Sequence, residues 1–554
     1  MKKTIYILIS CVFLLLSAAC TDWLEEEHKT KITSEFLYSD PEALERAVIA
    51  LYSIDRSYFK KDEQVSVYAY MLDIGTDIDW FRGGGGSTFA AYNNINTRNS
   101  NVKEFWVHQY LIIGKCNEIL AAAKTMDQEN ELVIRITGEA SLFRAHAYYW
   151  LQIKFGRIYL TTEPTTFETI DKAVYTPAKE EDVWKLINDD LDTAIANLDW
   201  NTPATGAGIT MWGRYNKAVA KHIKAKAAMW QQDWDEAIAQ TEDIFESHRY
   251  DLLPNPKDVF EGANLNHMET LFAYQFKDDI GGGGGLSSGK FVGHRLGIIT
   301  VAQYRLIMGY CDLELGAYGW GRLMPNNYLF SLYDKVKDKR FQQYFRHYFT
   351  YNVTDKVPVG KELGDTIFPA SSGQYWENFH PQCTKFVDKW TLLTPDQTNS
   401  FKDVIMYRLA ETYLIAAEAY MNKGDQVNAR KYYNKTWMRA GNNEETRDIT
   451  LQMIMDEHAR ELCMEGHRFS FLKRIGKLYD QVRNYGGEYT SNASAAGRNK
   501  GVNIPTSYRQ SYPAPAAAAD RRFYFKEGYE NWPIPQSEID QMGADNFPQH
   551  DVYK

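Results

Sequence analysis

Six cysteines in 554 residues, none in a CxxC pair, give this chain no thiol redox motif and no cysteine-based zinc site. HExxH is also absent, which removes the zinc-protease helix from the possible chemistries. Glycosidase carboxylates come from distant positions and keep no fixed spacing, so the 72 acidic residues single out no catalytic pair. Positive charge is short: 62 Lys+Arg against 72 Asp+Glu gives a net charge of −10, a poor match for a phosphate backbone. No apolar run reaches the roughly 20 residues that a membrane-crossing helix needs. One glycine-rich stretch, Gly284 to Lys290, has the spacing of a phosphate-cradling loop. Phe291 stands where the metal-binding Ser or Thr belongs, and neither flank shows the required strand and helix, so it reads as a glycine loop.

What is present begins at the N-terminus. Lys2 and Lys3 form a short basic region, Ile5 to Leu16 an apolar core, and Ser17-Ala18-Ala19 a small-residue cleavage site ahead of Cys20. Cys20 resembles the lipidated first residue of a bacterial lipoprotein, and the acidic sequel Thr21 to Glu27 has nothing to embed in lipid. Without Lys2 and Lys3 the 62 basic residues fall to 60 against 72 acidic ones. Cys11 leaves with the leader, and Cys116, Cys311, Cys383 and Cys463 remain, widely spaced. Aromatics make up 14% of the chain, and with 37 tyrosines they suit surfaces that are both apolar and hydrogen-bonding, as sugar platforms are.

Helical periodicity dominates the body of the sequence. Asp40-Pro41 reads as an N-cap with Pro at the first helical position, followed by Leu44, Val48, Leu51 and Tyr52. Asn101 and Glu104 read as a capping box ahead of Ile112, Cys116, Ile119 and Ala123. Leu132, Ile136, Phe143, Ala147 and Leu151 continue the pattern. Thr176-Pro177 reads as a further helix start, with Val183, Ile187, Leu191, Ala194 and Leu198 as its stripe. All of these are expected to be amphipathic and to pack in pairs. Two segments also match each other: Ala225, Ala227, Met229, Asp233 and Ala237 align with Ala417, Ala419, Met421, Asp425 and Ala429. Small residues there let antiparallel helices approach closely, a pattern similar to tetratricopeptide repeats with a large insertion between them. The insertion, from about 280 to 400, is rich in Gly, Pro, Tyr and Trp, and reads as loops with short strands.

The C-terminal third carries the most specific signal. Arg408 to Ala419, Arg460-Glu461-Leu462, Glu465-Gly466-His467-Arg468, Leu472 to Gly476 and Trp532-Pro533-Ile534-Pro535 together resemble the SusD/RagB family. Cys20 to Glu25, Gly213-Arg214 and Tyr250-Asp251-Leu252 extend the resemblance over nearly the whole mature chain. It implies a mainly α fold, with tetratricopeptide-like helix pairs as a scaffold and a more irregular loop-rich region. The expected organisation is a signal peptide at 1–19, an N-terminal SusD-like region at 20–275, and a C-terminal SusD/RagB region at 276–554. It implies too a nutrient-binding lipoprotein on the outer-membrane surface, partnered by a SusC-like TonB-dependent transporter, with no catalysis and no cofactor. The charged residues Arg408, Glu411, Arg460, Glu461, Glu465, Arg468 and Arg474 read as structural pairs that fix helix packing.

The family's ligand site sits on variable loops, so candidates follow from chemistry: aromatic faces against the C–H patches of a pyranose, flanked by amides, acids or Arg for the hydroxyls. Asp79, Trp80 and Arg82, with Tyr92 and Asn93 after a run of glycines, form one expected set. Tyr318 and Trp320, in Tyr318-Gly319-Trp320-Gly321-Arg322, form a second. Tyr375, Trp376 and Phe379 come third. Asp77 and Asp79 also admit a calcium reading, although two acids are few for such a site, and no metal is expected. The functional expectation is capture of an oligosaccharide for the transporter. The alternatives are a peptide- or glycoprotein-binding protein of the same architecture and a surface glycoside hydrolase, which new reducing ends would reveal.

Overall fold

A computed structural model describes residues 38, 40–58, 74–81, 92, 95–165, 175–201, 210–277, 286–287, 290–291, 293–367, 379–486 and 524–554. The leader and Cys20 lie outside the described residues. Helix α1 (Pro41–Ser57) starts as the sequence indicates, with Asp40 accepting from Ala43 N at 2.7 Å and Pro41 at the first position. Helix α2 (Ser100–Ala123) begins two residues earlier than the capping-box reading places it. Asn99 accepts from the backbones of Asn101 and Val102 and is the cap. Helix α4 (Glu180–Asn197) begins later than Thr176-Pro177. Ala178 N bonds instead to Ile158 O at 2.8 Å, and the acidic run Glu180, Glu181, Asp182 takes the positive helix end.

Between them α3 (Glu131–Phe155) departs from the amphipathic expectation, because its second half is buried on every side. It packs on α1, α2 and α4 and forms the centre of the N-terminal helical layer.

The two matching segments form helix hairpins of the same local design. Helices α5 (Lys217–Gln231) and α6 (Trp234–Glu246) turn at Asp233, and α7 (Leu409–Asn422) and α8 (Gln426–Arg439) turn at Asp425. Each Asp caps the second helix through the backbone N–H three residues on. Although far apart in sequence, the hairpins stack directly, α6 against α7. Ala225, Ala228, Met229, Ala237, Ile415 and Ala419 form a small core between them, and Phe245 stacks on Tyr413 with centroids 4.5 Å apart. The chain closes through α9 (Leu451–Leu462), α10 (Arg468–Arg474), α11 (Leu478–Tyr485) and α12 (Gln536–Met542).

The strands are short antiparallel pairs: β1 (Asp79–Phe81) with β5 (Leu323–Pro325), β2 (Thr270–Tyr274) with β8 (Val404–Arg408), β3 (Leu286–Ser287) with β4 (Lys290–Phe291), and β6 (Phe345–Arg346) with β7 (Gln382–Cys383). The β2–β8 pair joins the N- and C-terminal regions, and one hydrophobic core runs from Leu44 to Phe547.

A buried ionic lattice ties β8 to α9. Arg408 reaches Glu465 at 2.7 Å, Glu461 at 2.7 Å and Glu269 at 2.9 Å, and Arg340 binds Asp338, Glu457 and Glu461. Arg474 pairs with Glu418, and Arg468 with Asp77. At the hairpin interface Glu411 meets Lys226, His222 and His467. Burial opposes its charge, but His467, the Lys226 ammonium and the hydrogen bond from His222 outweigh that and hold its carboxyl well below the usual range. These charges have protein partners in the interior, so they set helix geometry. Trp532 is likewise buried, its backbone N–H on Lys154 O at 2.8 Å.

Candidate functional site

The aromatic loop Tyr318 to Arg322 lies along a one-turn helix, Leu296–Thr300. Trp320 N donates to Ile298 O at 2.7 Å, Gly321 N to Val301 O at 2.8 Å and Arg322 N to Ile299 O at 3.0 Å. Glycine at 319 permits that approach, since a Cβ there would stand 2.1 Å from Ala302 O. The backbone is therefore pinned while the Trp320 ring stays half-buried at the edge of the core. Two guanidinium groups flank the ring, Arg295 at 5.4 Å and Arg322 at 6.0 Å from its centroid, both within cation–π reach. Arg295 Nε also donates to Asn399 Oδ1 at 3.0 Å. Tyr318, half-buried, lies under Arg305 at 3.8 Å and accepts from its Nη2 at 2.7 Å. The result is a partly exposed aromatic ring with two guanidinium groups over it and an amide bonded to one of them.

The β1–β5 pair brings the first expected segment beside the second: Phe81 stands opposite Leu323, three residues past Trp320. Three of its expected ligand residues prove structural. Trp80 is buried within β1, whose three residues are all enclosed. Asp79 is fully buried and accepts from Thr76 N at 2.8 Å and Thr76 Oγ1 at 3.1 Å, closing the turn ahead of β1. Tyr92 is buried, donates to Gly75 O at 2.9 Å and sits edge-on to Phe525. A ring enclosed by protein has no face for a sugar.

Asp77 is committed to a two-pronged pair with Arg468 at 2.9 and 2.7 Å, and Asp79 to its own turn, which overturns the calcium reading. Among the described residues no group of three or more His, Cys, Asp or Glu is placed to hold a metal. Phe379 is also buried. Arg82, Asn93, Tyr375 and Trp376 lie outside the described residues.

The SusD family model matches residues 269–553, and a second model, described as "Starch-binding associating with outer membrane", matches residues 22–203. The chain belongs to the SusD family. A curated SusD-like protein, P25 of Formosa agariphila, is 25% identical over 517 residues, which cover 86% of this chain and 91% of that one. Two solved SusD-type structures share the fold. A SusD homolog from Bacteroides thetaiotaomicron has a TM-score of 0.73 at 19% identity, covering 95% of this chain and 99% of its own. A laminarin-binding SusD-like protein has a TM-score of 0.69 at 21% identity, covering 92% and 99%.

This SusD-family chain also has a concave surface away from Trp320. A groove of about 550 Å³ opens where the residues just after α4, those just before α5, the turn after α6 and the start of β2 meet, with Trp200, Trp212 and Tyr250 on its walls. The signal was present in the tryptophans beside Asn201 and Gly213. Gly213-Arg214 reads in sequence as a family mark, because nothing local shows that separate stretches of chain converge there.

Proposed function

We propose that this chain is a surface glycan-binding lipoprotein, anchored through Cys20, that captures an oligosaccharide on the Trp320 platform without cleaving it and delivers it to a SusC-like TonB-dependent outer-membrane transporter. The observation that carries the reading is the half-buried Trp320 ring between Arg295 and Arg322. A pyranose lays its C–H face on the indole, and Arg295, Arg322 and Asn399 supply donors and an amide to its hydroxyls. The description of the matched family model as starch-binding and outer-membrane-associated supports the same class of ligand and location, as does the laminarin-binding relative of the same fold.

The test is equilibrium binding of a soluble chain beginning after Cys20 to a panel of plant, microbial and host polysaccharides. Trp320→Ala is expected to remove about 2 kcal/mol or more of binding, roughly a 30-fold loss, while the fold persists. Undiminished affinity in that variant would refute the platform, and preference for a peptide pool over every saccharide would refute the ligand class. Recovery of the native lipoprotein with a β-barrel transporter from outer membranes tests the delivery step.

A further inference from the structure

The groove beside β2 shares none of the platform residues, and its volume of about 550 Å³ lies within the span of small-molecule sites. Its most prominent wall is Trp212, half-exposed at 50%. Gly213 follows that ring in the turn ahead of α5. The glycine has φ +80°, and a Cβ on it would meet the Gln275 side chain at 2.5 Å. Polar groups stand around the indole. Asn216 donates to the Tyr250 hydroxyl at 3.2 Å, and the Asn266 and Gln275 amides exchange hydrogen bonds at 2.7 and 3.0 Å. Aromatic face, amides and phenol together make a lining suited to a sugar ring.

The charge of this lining is unusual for the molecule. In a chain of net charge −10, the lining contains no Asp or Glu among the described residues. Arg214 is buried and neutralised by Glu139 at 2.7 Å and Glu45 at 2.9 Å. Arg249, exposed at the rim, donates to the neutral amide of Asn201. A guanidinium matched to an amide still has its charge to offer to an incoming carboxylate or sulfate.

We infer that this groove is a second saccharide site, which takes an acidic unit of a glycan with its ring on Trp212 and its anionic group on Arg249. The inference rests on the glycan reading for the class of ligand, and the site itself is independent of Trp320. An extended polysaccharide that occupied both places would be held more tightly than by either alone.

The experiment titrates the soluble chain with three probes, an oligogalacturonate, a sulfated galactan oligosaccharide and a neutral malto-oligosaccharide. It is run on the unaltered chain and on Trp212→Ala, Trp212→Phe, Arg249→Gln and Trp320→Ala, with circular dichroism to verify folding. The expected result is that Trp320→Ala still binds an acidic probe, that Trp212→Ala and Arg249→Gln each weaken that binding at least tenfold, and that Trp212→Phe restores part of it. The uronate and sulfate arms identify which anion the groove takes. Loss of acidic binding in Trp320→Ala alone overturns the groove and leaves the capture reading standing. Binding that depends on Trp212 but not on Arg249 overturns the preference for acid. Failure of the unaltered chain to bind any saccharide overturns both readings.

Discussion

Asp77→Ala tests whether the loop that was a calcium candidate is instead held by a buried ion pair. Both partners have fully buried side chains, and the carboxylate meets Arg468 through two parallel bonds at 2.9 and 2.7 Å. The pair links α10 to the turn that leads into β1, and β1 pairs with β5, which follows the Trp320 loop. Removing the carboxylate leaves the guanidinium charge in the interior, where it keeps the Met455 carbonyl at 2.7 Å. Breaking a buried pair from one side costs about 3–5 kcal/mol. At roughly 2.1 cal/mol/K per residue, a chain of this length has an unfolding entropy of about 1 kcal/mol/K, so the midpoint should fall by about 3–5 °C. Thermal unfolding followed by tryptophan fluorescence reads this directly. Asp77→Asn, which keeps the shape and loses the charge, should lie between the two. Addition of EDTA to the unaltered chain should leave its midpoint in place, because Asp77 is held by Arg468. A midpoint within 1 °C of the unaltered chain for Asp77→Ala, or a drop caused by EDTA, would refute the argument.

Other predictions concern the platform, the repeat interface and pH. Gly319→Ala should weaken glycan binding more than tenfold, since its Cβ would collide with Ala302 O and lift the loop that carries Trp320; a binding isotherm equal to that of the unaltered chain would contradict this. Ala225→Leu, in the small core shared with Ile415 and Ala419, should cost about 1–3 kcal/mol by overpacking the stacked hairpins, read as a lower urea midpoint. Burial holds His146 down to about 3 and His294, His347 and His467 down to about 4, against about 6.5 when exposed. The unfolded chain therefore binds more of these protons below pH 6.5, and stability should fall as pH drops from 6.5 towards 4. Asp55 and Asp403, raised by burial to about 6, act in the opposite sense over the lower part of that range. With four histidines against two acids, a midpoint that rises on going from pH 7 to pH 5 would show the assignment to be wrong.

The helical frame was largely legible in the sequence because its signals are local. The Asp40-Pro41 start, the matching Asp233 and Asp425 turns and the alanine-lined hairpins each depend on residues a few positions apart. The capping-box reading missed by two residues because Asn99 competes for the same N–H groups, and 176–177 failed as a start because Ala178 has a partner in Ile158. Trp320 emerged from glycines that leave a ring uncovered. Trp80 and Tyr92 looked equally suited, and they are covered by β5 and Phe525, contributed by chain hundreds of residues away.

The sequence by itself determined the α-rich class, the repeated hairpins and the family, since periodicity, turn residues and motif spacing are written within short windows. Only the tertiary structure decided which aromatics keep an open face, that α6 stacks on α7 across a long insertion, and that separate stretches of chain close into the groove around Trp212. Exposure is a property of what packs against a side chain, and that neighbour is chosen by the fold of the whole chain.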